Sequence, residues 1–164
     1  MEYTKKHHDW GILILRIGIG LAFIIIWGYP KIMGGPDLWT KIGGSMGNLG
    51  INFAPEFWGF MAALAEFGGG ILLVLGLFTR AAAFFMGFDM VVAVSQHLTH
   101  KDPWTVVTHP LELLTVFIAL LILGGGRISL DYLIFRKRQI KVKTIDESTA
   151  AYVGDQYNKT LSKK

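Results

Sequence analysis

Along this chain long apolar runs alternate with short polar interruptions, and the length of the runs sets the architecture. From residue 56 to residue 80 the sequence reads EFWGFMAALAEFGGGILLVLGLFTR. A helix rises about 1.5 Å per residue, so a run of this length crosses a hydrocarbon layer roughly 30 Å thick. Three more runs share this character, which predicts four membrane spans at about 11–29, 56–78, 81–97 and 110–124. Pro30 helps to end the first run, which lacks a small-residue cleavage pattern and therefore reads as a retained span rather than a signal peptide. Only Thr79 and Arg80 separate the second span from the third, so those two are antiparallel neighbours. The fourth is short unless residues 104–108 extend it.

The interruptions complete the plan. Residues 30–55 are rich in glycine yet too apolar for a free linker, and they predict an outer loop with a short interfacial helix around 37–43, Trp39 at headgroup level, placed to cover the bundle like a lid. Lys5, Lys6, Arg80, Arg127, Arg136, Lys137, Arg138, Lys141 and Lys143 fall on the side of the termini, against Lys31, Lys41 and Lys101 on the other. The excess of positive charge predicts that both termini are cytoplasmic. The expected fold is therefore all-α: an integral membrane four-helix bundle over residues 1–135, then a basic, polar, partly disordered cytoplasmic tail over 136–164.

Composition agrees and narrows the chemistry. The 164 residues are 52% apolar and 17% charged, with mean hydropathy +0.44. A net charge of +4 invites a nucleic-acid reading, but the basic residues stand beside apolar spans, where lipid headgroups account for them. Cysteine is absent, which removes disulfides, thiol nucleophiles and iron–sulfur ligation; redox chemistry must come from a bound cofactor or a partner chain.

Polar residues inside the spans are the candidates for function. Glu66 stands in mid-run, where a carboxylate costs about 2.5–3.5 kcal/mol to insert, and Gly68, Gly69 and Gly70 follow it as residues that let a neighbouring helix come close. Asp89, Gln96 and His100 recur near helical spacing on the third span, with His97 beside them, and Glu112 opens the fourth. Arg16 shares a face of the first span with Gly20, Phe23 and Trp27. Each has an ordinary reading: a snorkelling Arg16, a Glu112 that serves a helix N-terminus, surface histidines at a fraying helix end. Ionisable groups on several spans point instead to a proton path or a polar ligand pocket. On that reading Glu66, Glu112 and His97 exchange protons, and Arg16, Asp89, Gln96 and Trp27 contact a ligand. His97, His100, His109 and Glu112 repeat a three-residue spacing that suits metal ligation, but Pro103 and Pro110 interrupt it, and no metal is expected.

Arg16 with its glycines, Lys31 ahead of Gly34-Gly35-Pro36, the FWGFMAALAEFGGGILLVLGLFTRAAA stretch, Glu112 and the closing GGGRISLD together resemble the DoxX family of small bacterial four-helix membrane proteins, over roughly residues 10–133. The resemblance implies a multi-pass protein of the bacterial inner membrane, related to the membrane subunit of a thiosulfate:quinone oxidoreductase. It places Arg16, Glu66, Arg80 and Glu112 at polar positions of the family. Many members carry His before the glycine that ends the first span, where this chain has Trp27, so histidine chemistry does not transfer to that site.

Three functions are consistent with this pattern. The first is a membrane subunit that holds a quinone or small polar ligand, with neither haem nor iron–sulfur cluster, and receives electrons from a partner protein at the outer face. The second is a non-catalytic anchor or assembly partner, as a homo-oligomer or with another chain. The third is a small-molecule or ion carrier, for which inverted repeats are the usual sign and none is evident.

Overall fold

The structure, a computed structural model, describes residues 2–134, 146, 147 and 149–153. Helix α1 (Glu2–Ala22) runs into a six-residue π-helical segment (Phe23–Gly28) and the short α2 (Tyr29–Ile32). After Gly34 come α3 (Gly35–Gly43) and a 3₁₀ segment (Gly44–Leu49), then α4 (Pro55–Leu75), α5 (Thr79–Thr99) and α6 (Trp104–Leu123). Among the described residues four helical stretches are long and apolar enough to span a membrane: His7–Ile32, Pro55–Leu75, Thr79–Thr99 and Trp104–Leu123.

The spans differ from expectation mainly at their ends. Gly76 takes a left-handed conformation (φ 64°) that stops α4 three residues before the expected end, and α5 begins at once. The fourth span starts at Trp104 because Pro110 sits inside α6 rather than ahead of it. A proline costs a soluble helix about 3 kcal/mol or more, but spanning helices tolerate it where neighbouring groups satisfy the freed carbonyl.

The bundle is apolar on its outside as well as in its core. Ile12, Phe23, Leu73, Ala83, Met86, Phe117 and Leu120 form the core, with the Phe23 and Phe117 rings edge to face at 5.4 Å. Large side chains such as Ile14, Ile25, Phe84, Phe85 and Ile122 lie exposed on the outer faces of the helices. In water such a surface would drive association; against lipid tails it costs nothing. Helices therefore meet through small residues. A Cβ on Gly70 would come within 2.9 Å of the Gly20 carbonyl, so only glycine allows α1 to lie this close to α4.

At the loop end α3 packs down onto α4, with Gly43 and Gly59 so near the opposing backbone that neither position has room for a side chain. Trp39 packs on Phe60 at 4.9 Å and donates its indole N–H to the Lys31 carbonyl at 2.8 Å. The segment between α2 and α4 is thus a roof fixed to α4.

The opposite end is closed by the GGGRISLD segment. The Asp131 carboxylate accepts the Phe78 and Thr79 N–H groups at 2.7 and 2.9 Å, capping α5 from a distant part of the chain, and the Asp131 N–H donates to the Gly76 carbonyl at 2.9 Å. The Arg127 N–H donates to Asp9 at 3.0 Å, which places the start of α1 and the exit from α6 at the same end of the bundle. Residues 132–164 form a separate unit, in which 146, 147 and 149–153 are helical; the rest of the expected tail over 136–164 lies outside the described residues.

Candidate functional site: a charged cluster in a membrane cleft

Glu66 lies just past the middle of α4, buried to 2% exposure. Its partner is Lys31, from α2. The Lys31 ammonium donates a hydrogen bond to Oε1 at 2.7 Å and lies equally near Oε2, which it reaches as a charge contact off the hydrogen-bonding direction. The π-helical segment makes this meeting possible. A π turn absorbs one more residue than an α turn, and one residue is about 100° of helical rotation, so the segment decides which way Lys31 faces. Asp89, on α5, sets its carboxyl against that of Glu66 and within Coulombic reach of Lys31. Two acids and one base thus meet at the middle of the bundle.

They stand in the wall of a cleft of about 1140 Å³ between α4 and α5, under the roof formed by Ile42–Met46. Most of its lining is apolar, including Phe57, Leu72, Phe84, Phe85 and Phe88, and several of these rings are exposed on the lipid-facing side. Ser45, Gln96 and His97 line the same cleft closer to the loop end. Gln96 accepts a hydrogen bond from the Asn48 amide at 2.5 Å, and His97 Nδ1 lies 2.7 Å from an Asp102 carboxylate oxygen. Trp58 also lines the cleft, and its buried indole N–H has no hydrogen-bond partner among the described residues.

The structure therefore gathers Glu66, Asp89, Gln96 and His97 of the expected site and leaves the others elsewhere. Arg16 is 1% exposed at the terminal end, where Nη2 donates to the Ile128 carbonyl at 2.6 Å and Asp131 supplies a nearby negative charge. Its place is in the closure of the bundle, not in the cleft. Arg80 likewise donates to the Ile122 carbonyl at 3.1 Å. Trp27 is exposed and rests against His109, ring centroids 5.6 Å apart, away from the cleft. Glu112 and His100 are exposed and do not line it. Among the described residues no group of three or more His, Asp or Glu is arranged to hold a metal, so the spacing of His97, His100, His109 and Glu112 does not bring them together.

Lys31, Ser45 and Trp58 were missed as site residues. Lys31 had a legible signal: an acid in mid-membrane needs a partner, and Lys31 is a cation just past the end of an adjacent span. Nothing in the sequence marks the π-helical segment that turns it inward.

The sequence of residues 11–102 matches the family described as DoxX. The inner membrane protein YqjF of Escherichia coli K12 is 31% identical over 137 residues, covering 81% of this chain and 98% of that protein. An uncharacterized protein of Haemophilus influenzae is 33% identical over 93 residues, 57% of this chain and 63% of its own length. No solved structure matches.

Proposed function

The chain belongs to the DoxX family, and on that footing we propose that it is the quinone-binding membrane subunit of an oxidoreductase in the bacterial inner membrane. The observation that carries this reading is the cluster of Lys31, Glu66 and Asp89 midway along an apolar cleft that opens toward lipid. A quinone pairs a flat ring bearing two carbonyl acceptors with a long apolar tail. The cleft offers the matching features: an ammonium donor and two carboxyls at mid-depth, phenylalanine walls for the ring and tail, and a volume slightly above the usual range of about 300–1,000 Å³ for small-molecule sites, with room for a long tail.

When bound, a quinone supplies two-electron chemistry that takes up two protons on reduction. The residues provide what the protons require. Lys31 offers a hydrogen bond to a carbonyl oxygen and neutralises one acid. Glu66 and Asp89, in mutual contact, would be the groups to hand a proton to a bound carbonyl, as general acids do. The electrons come from a small reductant processed by a partner protein docked at the loop end, because this chain has no cysteine chemistry of its own.

Titration of the purified protein with a short-tailed quinone, followed through quenching of Trp58 against a Trp58→Phe background, tests the reading. Saturable quenching that weakens about tenfold in Glu66→Gln, equivalent to 1.4 kcal/mol, is expected. Quenching that never saturates, or that is equal in the variant, would remove the basis for it.

The assembly reading draws on one observation: the Lys31–Glu66 pair also pins α2, and with it the roof, to α4. If that is its whole purpose, Glu66→Gln lowers abundance and melting temperature while leaving quinone titration of the surviving protein unchanged.

A further inference from the structure

The two halves of the cleft differ in kind. On the terminal side of Asp89 every lining side chain is apolar, among them Ile71, Leu72, Phe78, Ala81 and Phe85. On the loop side the lining includes Lys31, Glu66, Ser45, Gln96 and His97. A buried water needs about two to four polar partners, so the loop half can hold water and the terminal half cannot.

From this asymmetry we infer that Glu66 and Asp89 exchange protons with the aqueous phase at the loop end only, through a hydrated half-channel whose mouth is the His97–Asp102 pair. The inference rests on the cleft being the functional site, as proposed above, and not on the identity of its occupant. Asp89 and His97 are eight residues apart on one helix, about 12 Å, and both line the cleft. Val92 and Ala93 lie between them, and a gap of that size is spanned by a few waters anchored on Ser45 and Gln96. Asn48 holds the Gln96 carbonyl in place, so Gln96 orients water rather than relaying a proton itself. His97 is partly exposed and in contact with Asp102, which makes it the group able to pass protons between bulk water and the channel. The charged and titratable groups along this route are Lys31, Glu66, Asp89, His97 and Asp102. In the terminal direction the apolar lining gives water no polar partner, so no hydrated path continues past Asp89. Proton uptake is then one-sided whatever side the electrons arrive from.

The chain contains no cysteine, so single cysteines can be placed without background. Ser45→Cys and Ala93→Cys report on the loop half, Leu72→Cys and Ala81→Cys on the terminal half, with exposed His100→Cys and His8→Cys marking the two sides. Sealed vesicles of both orientations are treated with a membrane-impermeant, anionic methanethiosulfonate reagent. Only the thiolate reacts, and it forms only where water reaches, so the loop-half cysteines are expected to label at least about tenfold faster than the terminal-half ones, and from the His100 side alone. Labelling of Leu72→Cys or Ala81→Cys from the His8 side would overturn the inference. So would unreactive Ser45→Cys and Ala93→Cys in vesicles whose denatured protein labels fully. If the pattern holds while no quinone binds, the half-channel stands and the redox reading falls.

Discussion

Lys31 and Glu66, separated by 35 positions of chain, meet with the Lys31 ammonium 2.7 Å from both carboxylate oxygens. The pair joins the roof segment to α4 and sets a fixed positive charge beside two acids, so its energetics can be measured apart from any activity. Removing one member leaves the other without its partner in a mostly apolar site, a loss of about 1–3 kcal/mol for a hydrogen-bonded polar group. Glu66→Gln and Lys31→Met should each lower the melting temperature in detergent, and the double variant should lose less than the sum of the two. Strictly additive losses would mean that the pair contributes no coupling energy.

Asp131 acts as an N-cap supplied from another part of the chain. Asp131→Ala should destabilise the bundle by about 0.5–2 kcal/mol, the usual worth of a cap, while leaving quinone titration unchanged. A parallel loss of quinone binding would show that the terminal end is coupled to the cleft, which this account does not expect.

Gly76 carries two constraints at once. Its φ of 64° costs an L-residue about 1–2 kcal/mol, and a Cβ there would also collide with the Arg16 guanidinium. Gly76→Ala should therefore be more harmful than the same change at Gly18, where a Cβ meets nothing within 4 Å. Comparing the two melting temperatures checks this. Equal values would mean that Arg16 readily finds another position.

Filling the cleft without touching its charges separates site from scaffold. Ala93→Phe puts a ring among the lining side chains near Gln96 on a helix that remains apolar. The variant should fold, retain the Lys31–Glu66 pair and lose most quinone affinity. Unimpaired quinone binding would place the ligand elsewhere.

Much of this molecule is legible from spacing alone, for physical reasons. Span length reports the thickness of the bilayer, so the four helices are visible as apolar runs, and the cost of burying Glu66 marks it as interior. Asp89, Gln96 and His97 follow because a helix repeats its face every three or four residues. What escapes is whatever depends on backbone irregularity or on a fold-back. The π-helical segment leaves no periodic signature, so the facing of Lys31 was hidden. Arg16 looked like a ligand group because its face pattern is the same whether it points to a cavity or to the carbonyl of Ile128. Trp27 and Glu112 carried the right chemistry on faces that turn away from the cleft.

The most direct test is the organic extract of the protein purified in mild detergent from its native membrane, analysed by mass spectrometry beside a Glu66→Gln preparation of matched folded content. The account predicts quinone at near-stoichiometric levels in the wild-type extract and its loss from the variant. Wild-type protein free of quinone, or equal retention by both, would contradict the claim that the Lys31–Glu66–Asp89 cleft is a quinone site.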